Sequence, residues 1–506
     1  MSLQNLLNRI ERAGNRLPSP TLLFIYLTAA VLALSAGAHW LAISAVHPVS
    51  NAVVPAVNLL SQEGLARILT STVSNFTQFA PVGTVLVAIL GIAVAEHSGL
   101  LGAALRATVL KAPPRLLTFS VVLCGIFSSI AQDTGYVILV PLAAIIFRAA
   151  GRHPLVGIAA AFAGVSGGFS ANLLLTPTDA LLAGLSSEAA QLVAPGYEVS
   201  PAANYYFMAV STLVIALAGT WVTQRLVAPR FQYGAEEAAA TDDLTGKLTA
   251  AEARGLAGAL LFTLAFIALL AWGLLPDNGF LRGGTGGVLQ SPFMAGIVTI
   301  VSVYAALAGI VFGRLSGRYN HWGDCIEGME QHMATMAGYL VLMFFAAQFV
   351  SYFSWSNLGT IVAIRGAGLL QELALPFILT LILFVLLSAF VNLFIGSASA
   401  KWALMAPVFV PMLLLAGLSP EATQVAYRIG DSSTNIITPL MPYFGVVVAF
   451  AQRYQKDIGV GSLIAMMLPY SVTFLLAWSG LLTIWVLLGL PLGPGAGIVA
   501  ESMAIP

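Results

Sequence analysis

Long apolar runs alternate with short polar segments along most of this chain. A helix that crosses a lipid bilayer needs about 20 apolar residues in succession. Runs of that kind predict spanning helices at residues 21–45, 80–98, 205–226, 256–275, 291–313, 374–395 and 462–488. Three further zones, 115–190, 322–351 and 396–450, are also apolar but are interrupted by polar residues, glycine and proline. The pattern predicts a helical membrane protein with several spans and some broken helices.

A polar pattern occurs twice within the interrupted zones. The first copy includes residues 170–179 and follows Ser129, and the second includes residues 431–439 and follows Ser399. In both copies the leading serine stands twelve residues before a proline. Polar segments broken by proline, at corresponding places in two halves of a membrane protein, are typical of a transporter's binding site. We therefore predict an internal repeat whose irregular segments border a cavity.

Composition supports a polytopic membrane protein and argues against several other classes. Of the 506 residues, 58% are hydrophobic and 8% are charged, whereas an average soluble protein carries about 25% charge. The formal net charge is zero and basic runs are absent from the sequence, so a nucleic-acid partner is not expected. The two cysteines and six histidines show no spacing typical of a disulfide framework or a metal site. We expect membrane lipid to surround the chain.

The distribution of Lys and Arg predicts the orientation, because cytoplasmic loops carry an excess of positive charge. Sixteen of the 21 Lys and Arg residues lie near the N-terminus or in alternate loops, and three lie in the loops between. The N-terminus is therefore expected in the cytoplasm and the C-terminus outside. Charged residues 229–255 predict a cytoplasmic linker between an N-terminal half, 1–228, and a C-terminal half, 256–506. The two repeat copies then enter the membrane from opposite sides.

Five charged residues of the apolar zones lie in or beside the repeat copies. They are Asp133, Asp179, Lys401, Arg428 and Asp431. A charge at the centre of a bilayer costs at least ~2.5–3.5 kcal/mol, so such residues are expected to be paired or functional. Arg428 and Asp431 share a helix face, which predicts either a structural ion pair or an anion site beside a cation site. Asp133 is a candidate partner for Lys401. Asp179 either is paired with a distant base or carries a proton or cation, and a protonated, inert carboxyl group is the alternative.

Three uncharged positions add to this set. Asn172 and Asn435 occupy equivalent places in the two copies, and side-chain and backbone oxygens at broken helices can hold Na⁺. They are candidate Na⁺ ligands, with hydrogen bonding between helices as the alternative. Trp402 is either a packing aromatic or a stacking partner for an aromatic substrate. The methionine-rich stretch 329–343 is expected to be a packing surface.

Several segments of the chain resemble the p-aminobenzoyl-glutamate transporter (AbgT) family. They are residues 396–402, residues 419–435, which include Tyr427-Arg428-Ile429-Gly430-Asp431, and Thr176-Pro177-Thr178-Asp179. The similarity extends over essentially the whole chain. It implies an all-α polytopic membrane protein with about nine transmembrane helices plus two re-entrant helical hairpins, arranged as an inverted repeat. It further implies a homodimer in the bacterial inner membrane, so that the C-terminus would be periplasmic.

The resemblance also implies roles for individual residues. The substrate path would include Asp179, Ser399, Trp402, Pro420, Arg428, Asp431 and Pro439. The family's sodium site would involve Asn392 and Asp431. The residues alone had indicated Asp179, Arg428, Asp431 and Trp402, but not Ser399, Pro420 or Asn392.

The expected function is ion-coupled secondary active transport of p-aminobenzoate-type anions, with Na⁺ as the coupling ion and H⁺ as the alternative. The preferred direction is export of sulfonamide-type folate antimetabolites, and import of p-aminobenzoyl-glutamate is the alternative. An ion or anion channel is a second alternative, because broken helices also build selectivity filters. A membrane enzyme that uses Asp133 and Asp179 as a catalytic pair is a third.

Overall fold

Helices form most of the computed structural model. The structure describes residues 19–46, 48, 51–110, 113, 115–131, 135–231, 248–276, 278–283, 291–441 and 443–500. A small antiparallel sheet pairs β1 (Ser44–Val46) with β2 (Val53–Pro55) in the loop after the helix Pro20–Trp40. The predicted all-α architecture is confirmed.

The described helices are numbered along the chain and fall into four groups relative to the two repeats. Before the first repeat lie α1 (Pro20–Trp40), α2 (Gln62–Thr77), α3 (Ala80–His97) and α4 (Leu100–Leu110). The first repeat comprises α5 (Leu117–Phe127), α6 (Val140–Ala149), α7 (Pro154–Phe162), α8 (Pro177–Ala190) and α9 (Tyr205–Val222). Between the repeats lie α10 (Ala250–Leu274), α11 (Pro292–Ala295), α12 (Ile297–Ser316), α13 (Gly323–Thr335), α14 (Ala337–Trp355) and α15 (Leu358–Glu372). The second repeat comprises α16 (Phe377–Asn392), α17 (Ala398–Leu415), α18 (Pro420–Asn435), α19 (Phe444–Gln452) and α20 (Val460–Leu487).

Eight helical stretches of the described residues are long and apolar enough to cross a membrane. They are Pro20–Trp40, Gln62–His97, Tyr205–Arg230, Ala250–Leu274, Ile297–Ser316, Ala337–Trp355, Ala398–Leu415 and Val460–Leu487. The predicted span at 374–395 forms α16, which has 16 residues and belongs to a group of shorter apolar helices. The chain is therefore polytopic, as its hydropathy predicted.

Two of these stretches, α14 and α17, were not predicted as spans, because they lie in the interrupted zones 322–351 and 396–450. The polar beginning of the first of these zones is a separate helix, α13, which ends at Thr335, and α14 begins only two residues later. No proline lies at the boundary at Met336, and the nearest glycine, Gly338, already belongs to α14. The apolar run of α14 therefore merges in the sequence with the polar helix before it.

Two predictions concern residues that lie partly or wholly outside the described ranges. The predicted linker, 229–255, includes residues 232–247, which are not described. Its last six residues are helical, because α10 already begins at Ala250, where Thr249 and Glu252 form a capping box. Asp133 also lies outside the described residues.

In the first repeat a helical hairpin precedes a discontinuous helix. The hairpin consists of α5 and α6, and both arms pack on α7. Its tip includes a 3₁₀ turn at Ser128–Ala131 and a π-helical turn at Gly135–Leu139. After α7 a second π-helical turn, Ala163–Gly167, leads into non-helical backbone that ends at α8. Such π turns occur frequently at functional sites.

The second repeat has the same order of elements. Its hairpin consists of α16 and α17, and its discontinuous helix consists of α18 and α19 with irregular backbone between them. The first arm of each hairpin packs on the first half of its own broken helix, α5 on α7 and α16 on α18. Both α17 and α18 also pack on α8. The irregular segments of the two repeats therefore meet in the interior.

Gly430 allows α18 to lie directly against α16. A Cβ atom at this position would stand 2.4 Å from the backbone oxygen of Val385 and 2.7 Å from the backbone nitrogen of Ala389. Backbone atoms cannot move aside as a flexible side chain can. The missing side chain of Gly430 therefore sets the separation of the two helices and the position of the polar residues that follow it.

Replacing Gly430 with alanine should destabilise the protein by at least ~1–3 kcal/mol, the usual cost of overpacking a core. The melting temperature of the purified protein in detergent measures this loss. Gly480→Ala is the matched control, because a Cβ atom at Gly480 meets nothing within 4 Å. Equal melting temperatures for the two variants would show that the α16–α18 contact does not depend on Gly430.

Candidate functional site

A cavity of about 310 Å³ lies between the two repeats, within the usual range of roughly 300–1,000 Å³ for ligand pockets. The first repeat contributes Tyr136, Phe169, Pro177, Thr178 and Leu181 to its wall. The second repeat contributes Gly396, Ser397, Ala398, Ser399, Asn435, Met441 and Tyr443. The remaining described wall residues come from α3 and from the α13–α14 region: Val85, Ile89, Met336 and Tyr339. The predicted cavity therefore exists where the two copies of the polar pattern come together.

Two helices begin at this wall, α8 at Pro177 and α17 at Ala398. A helix N-terminus carries about half a positive elementary charge and favours anions. Ser397 caps α17, since its hydroxyl oxygen accepts a hydrogen bond from the backbone nitrogen of Ala400 at 3.4 Å. The hydroxyl groups of Thr178 and Ser399 lie in the same wall. The described wall residues thus offer partial positive charge and hydroxyl donors without an ionised side chain.

Aromatic rings provide another part of the wall. Tyr136 and Tyr443, one from each repeat, stack with ring centroids 4.6 Å apart. Tyr339 donates a hydrogen bond from its hydroxyl group to the backbone oxygen of Pro81 at 2.9 Å. The sequence did not indicate these tyrosines as site residues, although Tyr136 and Tyr443 lie close to the polar pattern. Met336 and Tyr339 belong to the stretch expected to be a packing surface, whereas both contribute to the cavity wall.

Behind the wall, Asp179 and Arg428 form a buried ion pair that joins the two repeats. Nη1 of Arg428 lies 2.7 Å from Oδ1 of Asp179, and the two side chains are 1% and 3% exposed. Nη2 of Arg428 donates to the backbone oxygen of Ser170 at 2.9 Å. The second carboxylate oxygen of Asp179 accepts hydrogen bonds from Asn172 and from the backbone and hydroxyl groups of Thr176. Arg428 thus contacts both sides of the non-helical segment between α7 and α8, at Ser170 and at Asp179.

A second buried ion pair lies within the second repeat. Nζ of Lys401 contacts Oδ1 of Asp431 and also donates a hydrogen bond to Oδ1 of Asn392. Nδ2 of Asn392 donates to the backbone oxygen of Asp431 at 2.7 Å and to Oδ1 of Asn435 at 2.9 Å. These contacts fasten the second hairpin to the end of α18.

The observed pairs differ from the pairings considered from the sequence. Asp431 contacts Lys401 instead of Arg428, although Arg428 lies on the same helix, and Arg428 contacts Asp179. Lys401 contacts Asp431, and its suggested pairing with Asp133 concerns a residue outside the described ranges. Sequence spacing shows which residues share a helix face, but not which other element supplies the partner. Here each carboxylate meets a base from another helix, in direct contact, as buried charges require.

Trp402 is fully buried in the layer behind the wall. Its indole N–H group donates to the backbone oxygen of Leu182 at 3.2 Å and to the hydroxyl oxygen of Ser186 at 3.1 Å. Its ring packs on Tyr427, with centroids 4.4 Å apart. In this arrangement Trp402 connects α17 to α8 and is separated from the cavity.

The other candidates occupy several positions around the site. Ser399 and Asn435 line the cavity. Asn172 lies behind it, where its side-chain nitrogen donates to Asp179 at 3.0 Å. Pro420 is the first residue of α18 and is buried, and Pro439 lies in the irregular segment between α18 and α19. The structure therefore brings the candidates into one region, but only some of them border the cavity.

Two of the candidate Na⁺ ligands, Asn392 and Asp431, provide suitable oxygen atoms, but a cation of the chain already contacts them. Side-chain oxygens of Asn392 and Asp431 both lie against the ammonium group of Lys401. An ammonium group and a Na⁺ ion cannot share the same position. In this arrangement the two residues do not accommodate Na⁺ on these atoms.

Replacing Arg428 with methionine should destabilise the protein by about 3–5 kcal/mol, because the buried carboxylate of Asp179 loses its counter-ion. Adding Asp179→Asn to the same chain removes that charge and should recover part of the loss. Thermal unfolding of the purified variants measures both effects. Arg254→Met, at an exposed position, is the control for charge removal. A double variant that is no more stable than Arg428→Met alone would contradict the pairing.

Comparison with known proteins places this architecture among membrane transporters. Residues 5–500 match the model of the AbgT putative transporter family. The p-aminobenzoyl-glutamate transport protein of Escherichia coli K12 is 38% identical over 487 residues, which are 96% of this chain and 95% of that protein. The structure of the Alcanivorax borkumensis YdaH transporter has a TM-score of 0.90 at 50% identity, covering 94% of this chain and 100% of that chain.

Neisseria gonorrhoeae MtrF, whose structure was described as illuminating a class of antimetabolite efflux pumps, has a TM-score of 0.91 at 49% identity. The match covers 97% of this chain and 100% of MtrF. The resemblance that the polar segments indicated is thereby confirmed over nearly the whole length. The chain belongs to the AbgT transporter family, and it is a membrane transporter, not an enzyme.

Proposed function

We propose that this protein is an ion-coupled secondary active transporter of p-aminobenzoate-type anions, which bind in the cavity between the two repeats. The convergence of two helix N-termini on one cavity carries the proposal, because it provides positive potential for an anion. Tyrosine rings and aliphatic side chains in the same wall suit the flat ring of an aromatic carboxylate or sulfonamide. The name of the Escherichia coli relative, a p-aminobenzoyl-glutamate transport protein, supports the same substrate class.

The residues around the cavity have two kinds of role in this proposal. The hydroxyl groups of Thr178 and Ser399 donate to the carboxylate or sulfonyl oxygens of the substrate. Asp179, Arg428 and Trp402 hold the wall from behind, through the contacts that join the two repeats. A substrate carboxylate reaches Arg428 itself only when Asp179 releases it. The aromatic wall selects against small inorganic anions.

The direction and energy source are also part of the proposal. Export of sulfonamide-type antimetabolites is favoured by the similarity to MtrF, which was described with antimetabolite efflux pumps. Import of p-aminobenzoyl-glutamate is the alternative direction. Coupling to a Na⁺ gradient, or alternatively to H⁺, would drive either one. The transporter is proposed to act as a homodimer in the bacterial inner membrane, with the N-terminus in the cytoplasm and the C-terminus in the periplasm.

Flux measurements in liposomes test this function directly. The purified protein is reconstituted, Na⁺ and H⁺ gradients are imposed separately, and uptake of labelled p-aminobenzoyl-glutamate and of a sulfonamide is followed. We expect saturable flux of at least one compound that depends on one of the two gradients. Flux that does not saturate and needs no gradient would support the channel alternative. No flux of either compound under both gradients would overturn the substrate class.

Ser399→Ala should raise KM by roughly tenfold or more, because a hydrogen bond to a charged group is worth about 1.5–3 kcal/mol. The change should leave the melting temperature nearly unchanged, since Ser399 lies at the cavity surface. Ser479→Ala, in α20 and outside the described wall residues, is the matched control. An unchanged KM for Ser399→Ala would remove Ser399 from the substrate site.

A further inference from the structure

The ammonium group of Lys401 lies at the centre of a cluster of oxygen atoms. It contacts Oδ1 of Asn392 and Oδ1 of Asp431, and the backbone oxygen of Ile395 lies 3.4 Å away. A charged lysine has three N–H donors and no acceptor. Asn392 and Ile395 accept hydrogen bonds from it, and Asp431 forms an ion pair with it. Lys401 is 0% exposed, which means that bulk water does not replace any of these contacts.

The oxygens are directed at Lys401 by contacts on their far side. Nδ2 of Asn392 faces three acceptors: the backbone oxygen of Asp431, the hydroxyl oxygen of Thr434 and Oδ1 of Asn435, at 2.7, 2.8 and 2.9 Å. Its Oδ1 atom is therefore turned toward the ammonium group. One carboxylate oxygen, one amide oxygen and one backbone oxygen form a ligand set that would suit a small monovalent cation.

The cation in this cluster belongs to the hairpin itself. Lys401 lies in the first turns of α17, and its Nζ atom is 5.8 Å from the ring centroid of Tyr427 on α18. The hydroxyl group of Tyr427 donates back to the backbone oxygen of Ala398 at 2.6 Å. The beginning of α17 is thereby fixed against α18, and the lysine side chain is held in the oxygen cluster.

We propose that Lys401 is a built-in cation, which takes the place of Na⁺ on the oxygens of Asn392 and Asp431. Removing its charge opens a Na⁺ site on these atoms. In the wild-type protein, the Lys401 side chain has two roles that a free ion would otherwise have. It neutralises Asp431, and it connects the second hairpin to α18. The inference does not rest on the proposed function, because it concerns the folded protein and not the ion that drives transport.

Cation-dependent thermal stability of Lys401→Met tests the proposal without any transport assay. Methionine lacks the charge, so Asp431 is left without a counter-ion, and its flexible thioether chain can turn away from the oxygens that the ammonium group contacted. In mildly alkaline buffer, the melting temperature of Lys401→Met should rise with the logarithm of the Na⁺ concentration, as expected for a ligand that binds only the folded state. Choline at the same ionic strength should give no such rise. A melting temperature equally insensitive to both ions would overturn the proposal.

Lys456→Met is the matched control, because Lys456 is exposed and its loss removes the same charge without opening a buried site. The melting temperature of Lys456→Met should depend on Na⁺ in the same way as that of the wild-type protein. The double variant Lys401→Met/Asp431→Asn removes both charges, and it should be insensitive to Na⁺. A Na⁺ response of the double variant equal to that of Lys401→Met would overturn the assignment of the site to Asp431.

The wild-type protein provides a test that does not require Lys401→Met to fold. With Lys401 in place, Asn392 should not contribute to Na⁺ binding. Any Na⁺-dependent rise in the melting temperature of the wild-type protein should therefore persist at the same size in Asn392→Ala. Disappearance of that rise in Asn392→Ala would show that Na⁺ already uses this cluster, which contradicts the proposal.

Discussion

The pairing of buried charges constrains the rest of this structure. The side chains of Asp179, Lys401, Arg428 and Asp431 are each at most 3% exposed. Leaving one such charge unpaired costs about 3–5 kcal/mol, a large part of the usual margin of folding stability. Each carboxylate must therefore meet a base. The Lys401–Asp431 pair fixes the second hairpin on α18, and the Arg428–Asp179 pair joins α18 to the first repeat. The cavity lies in front of these contacts.

The same pairing explains why the described cavity wall offers polar groups but carries no ionised side chain. Arg428 is neutralised behind the wall by Asp179, so a bound anion meets helix N-termini and hydroxyl groups instead of a full opposite charge. Partial charges of this kind attract an anion less strongly than an exposed guanidinium group would. A transporter has to release its substrate as well as bind it, and moderate attraction is compatible with both steps.

The sequence predicted the fold class, the repeat and the location of the buried charges, because each depends on hydropathy or on spacing along the chain. The duplicated serines and asparagines marked the irregular segments, and Ser399 and Asn435 do line the cavity. The partners of the charges could not be predicted, since Asp179 and Arg428 are far apart in sequence and meet only through packing of α8 on α18. The wall tyrosines were missed for the same reason: a tyrosine in an apolar run gives no periodic signal of the cavity that it faces.

Substrate protection of a cysteine at position 399 tests most directly whether the cavity between the repeats is the transport site. Both native cysteines, Cys124 and Cys325, are buried and free, and serine replacements at both give a suitable background for Ser399→Cys. The rate of labelling by a small maleimide should fall as p-aminobenzoyl-glutamate or a transported sulfonamide is added, with half-protection near its KM. Labelling that is unaffected by a saturating substrate, in a variant that still transports it, would contradict this location.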